Sequence, residues 1–110
     1  MIRAARMGIE EIHALARTIV ERFRPRRIIL FGSYARGAAS AESDVDLFVE
    51  METPLRPPER AIAVSAVFGL RHWPLDVVVY TPEEVRRLRN VRGTLLSIIE
   101  AEGVVLYEQS

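Results

Sequence analysis

The chain has 110 residues, of which 49% are hydrophobic and 27% charged, and its formal net charge is zero. A chain of this length buries roughly two thirds of its unfolded surface, which is enough for one core, so we expect a single domain over residues 1–110. Zero net charge supplies no bulk field for nucleic acid, and no apolar run approaches the roughly 20 residues of a membrane span. We therefore expect neither nucleic acid nor a membrane as a partner.

Cysteine and lysine are both absent, so every basic residue is an arginine. Their absence excludes disulfides, thiol nucleophiles, cysteine-based zinc sites, Schiff-base chemistry and the lysine of a P-loop. The chain begins with Arg3 and Arg6 and then meets Glu10 and Glu11, without the apolar stretch and cleavage site of a secretory signal. We therefore expect a cytoplasmic protein.

The first half of the chain predicts a helix followed by two strands. Apolar residues recur at helical spacing from Ile9 to Phe23, and Pro25 ends the pattern. The continuous apolar run at 28–31 is typical of a central strand that is buried on both faces. Residues 45–50 predict a second strand, and the proline-rich segment 53–58 predicts a connection.

The second half continues the alternation. Residues 59–70 have helical composition, and residues 75–80 predict a third strand. The stretch 81–84 places an N-cap Thr before Pro and Glu, which predicts a helix start, and that helical pattern breaks near Gly93. A last short strand is predicted at 104–107. The order of elements predicts an α/β or α+β domain with a mixed four-stranded sheet flanked by helices.

Two acids begin the second strand, and they are the first candidate site residues. Side chains two residues apart on a strand point to the same face, so Asp44 and Asp46 converge while Val45 and Leu47 enter the core. Two carboxylates this close repel each other unless a cation offsets their charge. Hard oxygen ligands on a rigid strand suit Mg²⁺ or Mn²⁺. The pair therefore predicts a divalent metal site.

The remaining aspartate of the chain, Asp76, lies in the third predicted strand. If that strand lies beside the second, Asp76 joins the acid pair. Three carboxylates can hold two metal ions about 3.5 to 4 Å apart, which stabilises the attacking and leaving oxygens of phosphoryl or nucleotidyl transfer. Asp76 is also a candidate to accept the proton of the attacking hydroxyl.

The first strand ends in Gly32 and Ser33, which are candidates for phosphate binding. A Gly-Ser pair before a helical turn presents backbone N–H groups and a hydroxyl to phosphate oxygens. Arg36 follows, and its guanidinium is able to neutralise a phosphate through two hydrogen bonds. Taken alone, the Gly-Ser pair is more simply explained as a turn, Arg36 as a solvated loop charge and the aspartates as solvated strand ends. Their coincidence with every aspartate in the chain favours a metal and phosphate site.

Other polar and aromatic residues carry no comparable signal. Neither His13 nor His72 has a partner at metal-binding spacing, so we expect both to be surface or packing residues. We expect four aromatic side chains to serve the core, namely Phe23, Phe31, Phe68 and Trp73.

The combined motif resembles the signature of a known superfamily. Gly32-Ser33, ten intervening residues, Asp44-Val45-Asp46 and the later Asp76 are similar to the pattern of DNA polymerase beta-like nucleotidyltransferases. The string FGSYARGAASAESDVDLFVE and the small size resemble in particular the minimal nucleotidyltransferases. These are the antitoxin halves of two-gene modules whose partner is a HEPN-domain ribonuclease toxin. The resemblance extends through LDVVVY and EGVVLYE.

The resemblance implies a nucleotidyltransferase fold and a role for each motif residue. Gly32 and Ser33 would bind the triphosphate of ATP, Asp44 and Asp46 would hold Mg²⁺, and Asp76 would be the third catalytic carboxylate. The implied reaction transfers AMP from ATP to a tyrosine hydroxyl of the toxin and releases pyrophosphate. Because nothing in the chain resembles a second domain that holds the acceptor, we expect the acceptor surface to come from a partner protein.

Four alternatives follow from the same residues. An antitoxin that acts by stoichiometric binding would leave the acid site idle or use it only to bind nucleotide. A dehalogenase-like phosphatase needs a Thr after the acid pair and a catalytic Lys, but Phe48 stands there and Lys is absent. A glycosyltransferase normally needs a larger domain, and Tyr34 and Ala35 do not complete the nucleophile elbow of a Ser hydrolase. The preferred nucleotide, the acceptor and homo-oligomer formation stay open.

Overall fold

The computed structural model describes residues 6–71 and 73–109, so the predictions for His72 and Arg3 lie outside the described residues. Within these ranges the chain forms four strands and five helices. In chain order they are α1 (Ile9–Phe23), β1 (Arg27–Phe31), α2 (Gly32–Ala35), β2 (Val45–Glu50), α3 (Pro57–Ala66), β3 (Leu75–Tyr80), α4 (Pro82–Leu88), α5 (Leu95–Glu102) and β4 (Val104–Glu108).

The four strands form one mixed sheet in the order β3-β2-β1-β4. Strand β1 is antiparallel to both of its neighbours, whereas β2 and β3 are parallel. Parallel neighbours need a crossover connection, and α3 supplies it. The predicted mixed four-stranded sheet is confirmed. The prediction that β1 is buried on both faces is also confirmed, because its three central residues are at most 2% exposed.

Alternate side chains of the sheet enter two separate core layers. On one face, Ile28, Leu30 and Leu47 pack in a cluster with α1 and α3 residues such as Ile19 and Val64. The opposite face carries a smaller cluster with Ile29 and Phe48 from the sheet and Val85, Leu96 and Ile99 from α4 and α5. Helices therefore flank the sheet on both sides, as the sequence predicts.

The sheet face that α4 and α5 cover is polar at both ends and apolar in the middle. At one end, Arg27 donates from Nε to Glu50 Oε1 at 2.7 Å, and its guanidinium lies 5.6 Å from the centre of the Phe48 ring. The middle is apolar. At the other end, the two strands that carry the candidate acids begin, and Asp46 lies opposite Phe31. This polar end positions the site.

The third helix differs from its predicted bounds of 59–70. It begins at Pro57 because the first helical positions need no N–H partner, so Pro57 and Pro58 start the helix rather than extend the loop. It ends at Ala66, after which the chain forms turns that close at Gly69 with φ +57°. The predicted break near Gly93 is confirmed, because a separate helix, α5, begins at Leu95 and is capped by Thr94, whose hydroxyl accepts from the Ser97 N–H.

Among the helices in the described ranges, none combines the length and apolar character that crossing a membrane requires.

Candidate active site

Strand register places two of the predicted acids side by side. Asp46 of β2 pairs with Asp76 of β3 in the parallel ladder. Because paired residues in a ladder share a face, both carboxylates lie on the α4 and α5 side of the sheet. The flanking residues Val45 and Leu47 point the other way and are at most 1% exposed. The prediction that the third strand lies beside the second is therefore confirmed.

The third acid, Asp44, lies in the loop immediately before β2 and belongs to the same electrostatic environment. The pKa of Asp46 is raised from 3.8 to about 6, first by burial of its carboxyl, then by the negative charge of Asp76 and then by that of Asp44. The positive charge of Arg36 partly opposes this rise. We call Asp44, Asp46 and Asp76 the acid row. Its central member carries the cost of holding three like charges together.

The Gly-Ser turn lies directly against the acid row. Gly32 has φ +73°, a backbone conformation that a residue with a side chain adopts at a cost. A Cβ atom at this position would overlap Asp46 Oδ2 and would lie 2.9 Å from Asp46 Cγ. Glycine is therefore required twice, for the turn out of β1 and for the space that the Asp46 carboxylate occupies. The start of α2 and the acid row form one site.

Ser33 and Arg36 belong to the same turn. The Ser33 carbonyl accepts from the Ala38 N–H at 2.9 Å, and the Arg36 N–H donates to the Gly32 carbonyl at 3.2 Å. The Arg36 side chain is 55% exposed, and its Nη1 lies 3.8 Å from Glu102 Oε1, which is a loose surface pair. Arg36 thus stands exposed at the rim of the site, close enough for its positive charge to lower the pKa of Asp46 slightly.

The donor chemistry of the acid row fits a divalent cation. Carboxylate oxygens are hard ligands, and a cation would relieve the repulsion that raises the pKa of Asp46. In residues 6–71 and 73–109, however, no three carboxylate or imidazole side chains are gathered closely enough to form a complete metal-binding set. The acid row therefore offers ligands of the predicted type without a preassembled cage.

His13 and the four aromatic residues that were expected in the core lie outside the acid row. His13 is half-buried on α1, as expected of a packing residue. Phe23, Phe68 and Trp73 pack against the larger cluster and Phe31 against the smaller one, which confirms their role in the core.

Sequence reasoning missed the part that Tyr34 plays beside this site. Its ring packs against the larger core cluster, and its hydroxyl accepts from the Met7 N–H at 3.0 Å. Tyr34 thereby fastens α2 to the chain before α1. Periodicity cannot reveal such an anchor in a helix of four residues, because one turn contains no repeat.

Together, the mixed sheet and the helix start packed against an acid row define an α/β domain of the nucleotidyltransferase fold. The family model described as "Nucleotidyltransferase domain" matches residues 12–92, and the chain belongs to this family. The matched range includes every residue of the predicted site.

Two curated relatives are similar over much of the chain. "Protein adenylyltransferase MntA" of Thermococcus cleftensis is 38% identical over 74 residues, which are 61% of this chain and 75% of the relative. "Putative protein adenylyltransferase MJ0141" of Methanocaldococcus jannaschii is 43% identical over 81 residues, which are 71% of this chain and 75% of the relative.

Solved structures agree on the fold. The crystal structure of a "putative nucleotidyltransferase" from Sulfolobus solfataricus superposes with a TM-score of 0.61 at 18% identity, covering 91% of this chain and 79% of that one. A crystal structure of a toxin-antitoxin with AMP-PNP superposes with a TM-score of 0.59 at 21% identity, covering 89% of this chain and 74% of that one. At these identities the likeness establishes the fold alone.

Proposed function

We propose that this chain is a Mg²⁺-dependent adenylyltransferase that acts as an antitoxin in the cytoplasm, as a single minimal nucleotidyltransferase domain. It would transfer AMP from ATP to a tyrosine hydroxyl of a HEPN-domain toxin. The observation that carries the proposal is the pairing of Asp46 with Asp76 against Gly32, which joins a phosphate-binding turn to the acid row. The names of the two curated relatives support a protein acceptor and adenylyl transfer.

Each site residue has a role that suits its position. The backbone N–H groups of Gly32 and Ser33 and the Ser33 hydroxyl would bind the triphosphate. Arg36, which is exposed at the rim, would pair with a phosphate oxygen in place of its loose contact with Glu102. Asp44 and Asp46 would hold the metal, and Asp76 would complete the metal site and face the acceptor.

The proposed reaction is an in-line displacement at the α-phosphorus of ATP. The acceptor oxygen forms a bond to the α-phosphorus as the bond between that phosphorus and the oxygen bridging to the β-phosphorus breaks, and pyrophosphate leaves with the bridging electrons. The hydroxyl proton passes to the carboxylate of Asp76. Mg²⁺, when bound by the acid row, would supply charge neutralisation for the triphosphate. Mn²⁺ satisfies the same donor chemistry.

A second candidate function is neutralisation of the toxin by binding alone. It is favoured by one observation, that in the described part of the chain the acidic side chains do not form a complete metal-binding set. In that case the acid row would bind nucleotide without turnover or remain idle.

One experiment separates the two candidates. The chain is incubated with Mg²⁺ and ATP labelled at the α-phosphate, with and without the protein encoded by the neighbouring gene. Transfer of label to that protein, lost in Asp44→Asn and Asp46→Asn but retained in Glu42→Gln, supports the enzyme. Glu42 is a matched control because it is an exposed acid in the same loop. Absence of label together with an intact complex and retained toxin neutralisation supports binding alone.

A further inference from the structure

The sheet has a free edge beside the acid row. Strand β3 is the terminal strand of the sheet, and α3 runs along it. Between them lies an open groove of about 400 Å³, which we call the edge groove. Its lining includes Ile62 and Ala66 of α3 and Leu75, Asp76 and Val77 of β3. One wall of the groove therefore contains a member of the acid row.

Backbone hydrogen bonds show which groups of β3 point outward. The carbonyls of Pro74 and Tyr80 accept from β2 and the residue after it, at 2.9 Å from Val45 N and 3.0 Å from Met51 N. Because backbone groups alternate in direction along a strand, even-numbered residues of β3 face β2. The N–H and C=O groups of Leu75, Val77 and Val79 therefore face away from β2, at the free edge.

Only the C-terminal half of this edge is capped within the described residues. The Val79 carbonyl accepts from Arg60 Nη1 at 3.3 Å, and the same nitrogen donates to Glu84 Oε1 at 2.8 Å. No comparable cap is found over Leu75 and Val77 in residues 6–71 and 73–109. Natural sheets usually protect such edges, because exposed strand groups pair readily with another chain.

The other wall of the edge groove is apolar and exposed. Ile62 is 69% exposed on α3, and Ala61 and Ala66 continue the apolar surface, which Ser65 and Arg71 border. Unpaired backbone groups beside exposed apolar side chains are the features that recognise an extended peptide, with main-chain bonds for affinity and side-chain contacts for selection.

We propose that the acceptor protein binds the edge groove as an extended segment that adds a fifth strand to β3. The segment would bond to the outward groups of Leu75 and Val77 and lay an apolar side chain against Ile62. Its residue opposite Asp76 then lies on the same face of the sheet as the acid row, at the closer type of cross-strand spacing if the segment is antiparallel. That residue, or its neighbour on this face, presents the hydroxyl. This inference rests on the proposed function.

The occupant is an acceptor segment because Asp76 belongs to the strand edge that lines the groove. Although α3 packs on the opposite face of the sheet, a strand added to this edge would place every second side chain on the α4 and α5 face, beside the Asp76 carboxylate. A peptide that binds anywhere else on the sheet would not lie next to Asp76. A second copy of this chain, pairing β3 with β3, is the main competing occupant, and the experiment below separates the two.

The test measures amide hydrogen exchange in the chain alone and in its mixture with the neighbouring gene product. We expect the Leu75 and Val77 amides to exchange at least about tenfold more slowly in the mixture, whereas the Asp76 and Val78 amides, which face β2, change little. Unchanged exchange at Leu75 and Val77 overturns the proposal. Protection that appears without the partner and grows with concentration assigns the edge to a second copy and also overturns it.

Variants link the groove to turnover. Ile62→Arg combined with Ala66→Arg should raise the KM for the acceptor at least about tenfold and leave the KM for ATP within about twofold, because both residues lie outside the acid row. Ile98→Arg is the matched control, since Ile98 is 49% exposed on α5. Equal acceptor KM values in wild type and the double variant overturn the docking proposal while the transferase stands. Protection at Leu75 and Val77 without label transfer overturns the transferase while the docking proposal stands.

Discussion

Replacement of Gly32 by Ala tests how tightly the Gly-Ser turn is coupled to the acid row. Two costs add at this position, because the residue has positive φ and its Cβ would overlap the Asp46 carboxylate. Gly37 is a control within the same loop, since it has φ +72° but no atom within 4 Å of its added Cβ. Gly37→Ala therefore carries only the backbone cost.

The magnitudes follow from these two costs. Placing an L-residue with a side chain in this left-handed backbone region lowers the stability of the fold by about 1 to 2 kcal/mol, and we expect this loss in both variants. In Gly32→Ala the Asp46 side chain must also leave its preferred rotamer, which costs about 1 kcal/mol more. In the proposed mechanism Asp46 holds the metal, and displacing such a carboxylate by about 1 Å is expected to lower turnover about 100-fold. Gly32→Ala should therefore be both less stable and much less active than Gly37→Ala.

The assay is urea denaturation at pH 7.5 together with label transfer from ATP, applied to a double-mutant cycle. In an Asp46→Ala background the overlap with the carboxylate disappears and only the 3.3 Å approach to the Cβ of residue 46 remains. Gly32→Ala should then lose nearly as little stability as Gly37→Ala, which gives a coupling of about 1 kcal/mol. Additive stability losses in the cycle, or equal loss of activity in Gly32→Ala and Gly37→Ala, would refute the coupling between the turn and Asp46.

Three further predictions concern two charged side chains and one hydroxyl. Asp46→Asn should abolish transfer yet stabilise the metal-free fold by about 1 kcal/mol at pH 7.5, a value reduced from the full pKa rise to allow for solvent screening. Because the pKa of Asp46 is about 6 in the folded state and 3.8 in the unfolded state, ionised Asp46 destabilises the wild type fully above pH 6 and not at all below pH 3.8. A stability difference between wild type and Asp46→Asn that is equal at all pH values in urea denaturation would contradict this. Arg60→Ala should cost about 3 kcal/mol in the same melts, since it leaves Glu84 and the Val79 carbonyl without their buried donor. A loss as small as that of an exposed arginine would show that the cap is dispensable. Ser33→Ala should weaken ATP binding about tenfold by titration calorimetry, and unchanged affinity would remove the hydroxyl from the site.

The ion pair of Arg60 also has a pH signature. Burial raises the pKa of Glu84, but hydrogen bonds from Thr81 and Arg60 and the charge of Arg60 outweigh burial, and the net pKa is lowered. A lowered carboxylate pKa contributes stability at neutral pH that is lost as the pH falls through the folded pKa. The stability difference between wild type and Glu84→Gln should therefore shrink in acid.

Much of this architecture can be read from local patterns. The bounds of β2 and β3 match their predicted ranges because short apolar runs between turn residues are typical of buried strands and are too short for buried helices. The prolines at 57 and 58 misled the prediction because Pro is common both in loops and at the first helical positions, and only packing distinguishes them.

For the site, the two-residue period of a strand predicted Asp44 and Asp46 on one side; the structure places Asp46 in β2 and Asp44 in the loop just before it, where its charge still acts on Asp46. The chain alone could not decide whether Asp76 joins them, because register between strands separated by a helix depends on how that helix packs. Nor could it show that Gly32 lies against Asp46, or that half of the β3 edge has no cap from the part of the chain that the structure describes. Local chemistry determined which residues are available, and the pairing of distant strands decided which of them meet, because such contacts depend on the arrangement of the whole sheet.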